Sequence, residues 1–95
     1  MRKQFFVYIM ASDNQTLYVG VTSHLTQRVA QHKAGTVAGF SARYRTKKLV
    51  YFEEHAGADD AFAREKQLKK WRREKKLGLI RTTNPSLDDL ASGWL

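Results

Sequence analysis

The chain has 95 residues, 42% of them hydrophobic, and a formal net charge of +8. This length predicts one compact domain over residues 1–95 and excludes a catalytic unit joined to a separate recognition domain. The positive charge favours a polyanionic partner, nucleic acid first, and the absence of cysteine excludes disulfides, thiolate zinc sites and cysteine nucleophiles.

The amino terminus resembles a signal sequence only superficially. Its apolar run, residues 5–10, is shorter than the roughly 7 to 15 residues of a signal-peptide core. No run in the chain approaches the roughly 20 apolar residues that span a bilayer. We therefore expect a soluble, cytoplasmic protein without a membrane partner.

Two runs rich in aromatic and β-branched residues predict a β-hairpin. They cover residues 5–10 and 16–21, and the turn-forming residues 12–15 lie between them. The first run is apolar at every position, which favours a central strand covered on both faces. Gly20 in the second run indicates a close approach by another backbone or a ligand.

A helix is predicted over residues 24–33, with Ser23 or Thr22 as its N-cap and Gly35 as its stop. Arg28 and His32 lie one turn apart on a flank of its apolar stripe. The two polar side chains are therefore expected to point in similar directions.

Residues 35–48 form a basic and aromatic segment, which we interpret as a loop with room for one short helical turn. The rings of Phe40 and Tyr44 are interpreted as packing residues first and as base-stacking surfaces second. The cations of the segment are predicted to contact nucleic acid: Arg43, Arg45, Lys47 and Lys48.

The second half of the chain predicts a third strand over residues 49–54 and a long helix that starts at the Asp59-Asp60 pair. Gly78 is expected to end or bend this helix. Asn84 is predicted to cap a further helix that leads into residues 87–91, with Pro85 at its first position. These elements predict an α+β fold with a small three-stranded antiparallel sheet flanked by helices.

Glu65 lies on the apolar face of the long helix, together with Ala61 and Leu68. A buried carboxylate without a partner costs several kcal/mol, so this position indicates a cation, a basic partner or a cleft that faces substrate. The structural alternative is an ion pair with Arg28 or with a base near Arg64.

An ordered set of motifs resembles the GIY-YIG nuclease domain. It consists of Phe6-Val7-Tyr8 and Tyr18-Val19-Gly20 across the hairpin, Arg28 and His32 on one helix, Glu65 on a later helix, and Asn84. The resemblance runs from about residue 5 to residue 90 and is greatest to the small stand-alone bacterial branch of the family. Phe6, Val7 and Val19 depart from the family motif, at backbone and packing positions that carry no reacting group.

The resemblance implies a metal-dependent endonuclease that hydrolyses phosphodiester bonds in DNA, with low sequence specificity or selectivity for DNA structure. One divalent cation, Mg²⁺ or Mn²⁺, would be held by Glu65, and a single carboxylate suffices because Mg²⁺ keeps several waters and binds substrate phosphates. Gly20 and Asn84 would support the site. The helix cations would bind substrate: Lys66, Lys69 and Lys70.

The resemblance also assigns roles to the remaining polar residues. Arg28 would stabilise charge on the scissile phosphate, while Tyr18 and His32 would orient water or phosphate. Tyr8 would be the general base or a proton relay. As a base it needs its pKa lowered by roughly 3 units from 10, about 4 kcal/mol, which Arg28, the metal and His32 could supply.

The two tyrosines share a face of the sheet only if the numbers of opposed residues sum to an even value. That condition requires a hairpin loop with an odd number of residues, or a bulge. A four-residue loop would place Tyr8 and Tyr18 on opposite faces.

The alternative function is a non-catalytic nucleic-acid-binding module that keeps the fold and the basic surface. RNA is a third, weaker option as substrate, and a protein partner could recruit the chain to DNA. Both leading functions predict salt-sensitive binding, because phosphate contacts release counterions. Binding alone therefore does not distinguish them.

Overall fold

The computed structural model of the chain describes residues 4–37, 39 and 43–94. The strands are β1 (Phe5–Ala11), β2 (Leu17–Thr22) and β3 (Lys48–His55), and the helices are α1 (Leu25–Ala34), α2 (Ala58–Lys70) and α3 (Arg73–Arg81). They form an antiparallel sheet in the order β2-β1-β3. The predicted α+β fold and the central place of β1 are confirmed.

The hairpin satisfies the parity condition for the two tyrosines. Tyr8 lies opposite Gly20, and Met10 lies opposite Tyr18. Residues 12–16 form a five-residue loop, closed by a backbone hydrogen bond from Ser12 N to Thr16 O of 3.0 Å. The odd loop length therefore places both phenol side chains on one face of the sheet.

The sheet is covered on both faces. On one face, Val7 and Ile9 of β1 belong to a core with α2 and α3, which contribute Ala61, Leu68 and Ile80. The other face has a smaller core, built from Tyr8, Met10, Leu25, Val29, Leu49 and Ala91. This double burial explains why β1 is apolar at every position.

Helix α1 lies within one residue of its predicted limits, but its N-cap is His24 and not Ser23 or Thr22, and the His24 side chain makes no capping hydrogen bond. His24 precedes its first turn, and the backbone N–H of His24 donates to Thr22 Oγ1 at 3.0 Å. Gly35 ends the helix in the left-handed conformation, with φ of 75°, as expected for a glycine stop. Among the described residues, no helix has both the length and the apolar character needed to cross a membrane.

The prediction of one long helix that Gly78 ends or bends is wrong. The break lies at Trp71, whose ψ of 147° is extended, and α3 then starts at Arg73. The Trp71 ring has cations on both sides of the break, because it lies 5.3 Å from the Arg64 guanidinium and 4.2 Å from Lys75 Nζ. Gly78 lies inside α3, and among the described residues a Cβ atom added at this position would meet nothing within 4 Å beyond its chain neighbours and the backbone of its own helix.

The prediction that Asn84 caps a further helix is also wrong. Residues 85–86 and 90–93 form turns, and Leu87 between them has a φ of 51°, which a helix does not tolerate. Asn84 is buried, and its Nδ2 donates to Val50 O at 3.0 Å and to Asp88 O at 2.9 Å. Its Oδ1 accepts from Asp88 N at 3.0 Å. The amide therefore joins the carboxyl-terminal turns to β3.

Replacing Asn84 with alanine should lower the free energy of unfolding by about 2–4 kcal/mol, since it leaves buried backbone groups without partners. Thr83→Ala, at the exposed neighbouring position, is the matched control and should change stability by less than about 0.5 kcal/mol. Urea denaturation monitored by circular dichroism measures both. Equal stability of the two variants would contradict a tying role for the amide.

Candidate functional site

Three rings from three different elements meet on one face of the sheet. The ring centroids of Tyr8 and His32 lie 5.4 Å apart, those of Tyr18 and His32 lie 5.0 Å apart, and those of the two tyrosines lie 6.3 Å apart. Tyr8 and His32 are 1% and 2% exposed, while Tyr18 is half-buried. The structure therefore brings together three of the side chains predicted for the site.

Gly20 makes room for this arrangement. A Cβ atom at position 20 would lie 2.5 Å from Cζ and Oη of Tyr8. The close approach expected at this glycine is therefore made by the side chain of Tyr8. Only a residue without a side chain fits opposite the phenol.

The Tyr8 hydroxyl and His32 Nε2 form a hydrogen bond of 2.8 Å. Burial is the main factor that raises the pKa of Tyr8, and the nearby Tyr18 and Glu65 raise it further, while Arg28 acts in the opposite direction. Burial and then the Arg28 charge lower the pKa of His32 from 6.5 to about 4. At neutral pH the phenol is therefore protonated and the imidazole neutral, and the phenol donates to Nε2 in the tautomer that carries its proton on Nδ1.

This neutral imidazole makes the stability of the chain depend on pH. Between pH 6.5 and about 4 the unfolded chain binds a proton at His32 that the folded chain excludes, so stability should fall as the pH falls. The loss should reach about 3 kcal/mol at full effect. Urea titrations from pH 7 to pH 4 measure it, and His32→Gln should flatten the slope. Equal slopes for wild type and variant would contradict the buried neutral histidine.

Arg28 lies one turn before His32 on α1 and is half-buried. Its charge acts on both Tyr8 and His32. A small cleft of about 90 Å³ opens beside the guanidinium, and its lining is almost entirely polar. The cleft is lined by Thr22, His24, Gln27, Arg28 and Gln31.

The two glutamines of this cleft were not among the residues predicted for the site. Gln27 and Gln31 are one turn apart on α1, on the flank that also carries Arg28. Helical spacing around Arg28 was the signal that could have identified them. Their amide groups add neutral hydrogen-bond donors to a cleft that already contains the Arg28 guanidinium.

Glu65 projects from α2 with its side chain 15% exposed. Lys69 Nζ lies 3.4 Å from Glu65 Oε2, one helical turn away, and is 54% exposed. The carboxylate is close enough to Tyr8 to raise the pKa of the phenol. The shielded carboxylate therefore acts on the same site as Tyr8 and Arg28, and its ion pair is with Lys69.

The donor set around Glu65 limits how a cation could bind. Within residues 4–37, 39 and 43–94, no three histidine, aspartate or glutamate side chains lie close enough together to hold a metal ion. A lone carboxylate fits a hard divalent cation whose other ligands are waters and substrate phosphates. The chain's own residues are therefore compatible with one substrate-assisted cation and do not form a complete cage.

Arg64, the neighbour of Glu65, pairs with Glu53 of β3. Its Nε lies 3.0 Å and 3.2 Å from the two carboxylate oxygens, which also accept from Tyr51 at 2.6 Å and His55 at 2.7 Å. Burial opposes ionisation of Glu53, but these hydrogen bonds outweigh it and hold the pKa of Glu53 below its ordinary value. The network fastens α2 to β3.

Sequence reasoning did not predict this network. Residues 51, 53 and 55 alternate along β3, so they share the sheet face that α2 covers. That alternation was the available signal. The network is structural, because its carboxylate is satisfied within the fold.

The predicted substrate-binding cations lie in two groups. One group lies in the segment before β3 and at the first residue of β3, and the other group lies on α2. In the first group, the backbone N–H of Arg43 donates to Gly39 O at 3.1 Å. Phe40 lies outside the described residues, and the Tyr44 ring is 43% exposed. All of these cations are exposed except Lys48, which is half-buried: Arg43, Arg45, Lys47, Lys66, Lys69 and Lys70.

Comparison with known proteins relates the chain to one family. Residues 4–77 match the model of the GIY-YIG catalytic domain. A UPF0213 protein of Pediococcus pentosaceus is 33% identical over 86 residues, which cover 90% of each chain. A UPF0213 protein of Clostridium perfringens is 37% identical over 75 residues, 79% of this chain and 81% of the relative.

A solved structure shares the fold. The solution NMR structure of a UPF0213 protein from Bacillus halodurans matches 95% of this chain and 96% of its own, with a TM-score of 0.57 and 21% sequence identity. The match supports the arrangement of sheet and helices described above.

Proposed function

Because the chain belongs to the GIY-YIG family of nuclease domains, we propose that it is a metal-dependent endonuclease that hydrolyses phosphodiester bonds in DNA, with low sequence specificity or selectivity for DNA structure. The observation that carries the proposal is the meeting of Tyr8, Tyr18, His32 and Arg28 on one sheet face, with the charge of Glu65 acting on Tyr8. A protein that only binds nucleic acid has no need of this combination.

Arg28 binds the scissile phosphate in the proposed reaction. Its planar guanidinium presents several N–H donors that match phosphate oxygens, and the small polar cleft beside it admits such an anion. Charge grows on the phosphate oxygens in the transition state, so a fixed cation there lowers the barrier. Burial, and then this charge, keep His32 neutral before substrate binds.

Tyr8 acts as a proton relay in the proposed reaction. The buried phenol holds its own proton, so it accepts one from water only by passing its hydroxyl proton to His32 Nε2, 2.8 Å away. The water oxygen then bonds to phosphorus as the bond to the leaving oxygen breaks, and the leaving oxygen takes up a proton from solvent. The negative phosphate near His32 favours the imidazolium that results. Tyr18 contacts both rings and orients the water.

Glu65 would hold the divalent cation, Mg²⁺ or Mn²⁺, together with water and the substrate phosphate. When bound, such a cation polarises phosphate oxygens and lowers the pKa of nearby acids. A cation bound at Glu65 would compete with Lys69, whose largely exposed ammonium group can move into solvent when the carboxylate binds a metal ion. The exposed cations of the segment before β3 and of α2 would bind the phosphates of the DNA backbone.

The test is a cleavage assay with single-stranded, duplex, flapped and branched DNA of one sequence, with Mg²⁺ or Mn²⁺ and with excess chelator. We expect cleavage of at least one substrate in the presence of the cation only. Binding of the same substrates is measured in parallel. Intact binding without cleavage of any DNA would favour the non-catalytic binding module, and cleavage of matched RNA alone would make RNA the substrate.

A further inference from the structure

A second cleft lies at the hairpin end of the sheet and shares no lining residue with the Arg28 cleft. It has a volume of about 250 Å³ and lies between the β1–β2 turn and the segment before β3. Its lining consists of Ser12, Asp13, Asn14, Tyr44 and Arg45. The volume is below the roughly 300 Å³ at which pockets for drug-sized ligands begin, so the cleft has the size for one base and not for a duplex.

The turn side of the cleft is held rigidly. Ser12 Oγ accepts from Thr16 N at 2.9 Å and donates to Asn14 Oδ1, which also accepts from Thr16 Oγ1 at 3.2 Å. Arg73 of α3 donates to the carbonyl oxygen of Gln15 behind the turn. These bonds engage the amide oxygen of Asn14 and not its N–H₂ group.

The loop side of the cleft is held in an unusual conformation. Arg45 has a φ of 55°, a left-handed value that is strained for a residue with a long side chain. The next residue, Thr46, is completely buried and fixes the chain at this point. The Tyr44 ring is 43% exposed, with the Arg43 guanidinium 5.5 Å from its centroid. An exposed aromatic face and two guanidinium groups are therefore presented together.

We propose that this cleft is a subsite for one unpaired nucleotide of the DNA substrate. An exposed aromatic ring offers a surface for base stacking, which is available only to bases that are not already stacked in a duplex. The Arg45 guanidinium attracts phosphate, while the Asp13 carboxylate repels it and can accept a hydrogen bond from a base amino group. The charges therefore orient a nucleotide, with its phosphate towards the loop and its base edge towards the turn.

The position of the cleft fits a role beside the proposed active site. Ser12 directly follows β1, and the pair Met10–Tyr18 lies one step before the last pair of the hairpin. A strand of DNA at Tyr18 can thus place a neighbouring nucleotide at the turn. The inference rests on the proposed function and sharpens it, because it makes flaps, branches and single strands the preferred substrates.

The test measures binding in excess chelator, where cleavage cannot occur. Fluorescence anisotropy compares a labelled single strand with a blunt hairpin duplex of the same length. We expect Tyr44→Ala to weaken single-strand binding about tenfold and to change duplex binding less than twofold. Tyr44→Phe keeps the stacking face and should bind as wild type does.

Arg45→Gly is the second variant, because glycine accepts the left-handed φ while it removes the cation. It should weaken single-strand binding several-fold more than Lys47→Ala, which removes an exposed charge outside the cleft. Equal losses on single strand and duplex for Tyr44→Ala, or no loss on either, would overturn the subsite. Since no cleavage is measured, an inactive protein would overturn the proposed function and leave this result unaffected.

Discussion

Replacing Glu65 with glutamine should reduce DNA cleavage by at least about 10²–10³-fold while DNA binding stays within twofold of wild type. Glutamine has the shape of glutamate without its charge, and its neutral amide oxygen is a weak ligand for a hard divalent cation. Removing a negative charge from a basic surface does not weaken its attraction for DNA. The assay is cleavage in Mg²⁺ or Mn²⁺, with binding measured in chelator.

This substitution separates two roles of the carboxylate that act in opposite directions. The charge of Glu65 raises the pKa of Tyr8, so its removal makes the phenol easier to ionise. If Glu65 acted only through this field, Glu65→Gln would leave cleavage unchanged or raise it. If Glu65 holds the cation, cleavage falls. Unchanged or faster cleavage would therefore contradict metal binding by Glu65.

Two controls accompany this experiment. Glu74→Gln removes an exposed carboxylate from the first turn of α3 and should leave cleavage unchanged. Lys69→Ala removes the partner of Glu65, and an exposed pair of this kind contributes less than about 1 kcal/mol to stability. If Lys69→Ala reproduced the loss, the ion pair and not the carboxylate would be the essential feature.

Tyr8→Phe tests the relay separately from the cation. It removes the hydroxyl that donates to His32 and keeps the buried ring, so it should also abolish cleavage with binding intact. Cleavage by this variant at the wild-type rate would exclude the phenol from proton transfer.

The hairpin and the central strand could be predicted because their signals are local. The apolar run of β1 indicated burial on both faces, and the two cores provide it. Because side chains alternate along a strand, whether Tyr8 and Tyr18 share a face depended only on the length of the turn. The turn has five residues, so the two side chains share a face. Gly35 ended α1 as a glycine with left-handed φ does.

The two wrong helix predictions have a common cause. Gly78 and Asn84 are strong local signals, but tertiary contacts decided both regions. Trp71 packs against the core that β1 forms with α2 and α3 where the long helix breaks, and Asn84 bonds to Val50 O, 34 residues away. Propensity and capping rules contain no information about such distant partners.

The protonation state of the site was beyond sequence reasoning for a similar reason. The family resemblance suggested that Arg28, with the metal and His32, would help to lower the pKa of Tyr8. Desolvation depends on how completely the ring is covered, and Tyr8 is 1% exposed, so burial dominates and raises the pKa. Only the fold reveals this balance, and of the two roles predicted for Tyr8 it favours the proton relay over the general base.

Gly20→Ala should lower the free energy of unfolding by about 2–3 kcal/mol and abolish cleavage. Where the backbone conformation and the available space allow it, replacing glycine with alanine raises the free energy of unfolding by about 0.4–1 kcal/mol, because alanine restricts the unfolded chain. Here the new Cβ would lie 2.5 Å from Cζ and Oη of Tyr8, and 2.8 Å from Cε1. The Tyr8 ring is buried and hydrogen-bonded to His32, so it cannot move away from the new Cβ without losing packing or this hydrogen bond.

A double-mutant cycle with Tyr8→Ala identifies the cause of that loss. With the ring removed, Gly20→Ala should be neutral or slightly stabilising, because the clashing atoms are absent. Tyr8→Phe should give no such relief, since Cζ and Cε1 remain in place. Urea denaturation of the single and double variants gives the coupling energy. If Gly20→Ala were equally destabilising in the Tyr8→Ala background, the packing of the phenol against Gly20 would not be what requires glycine at this position.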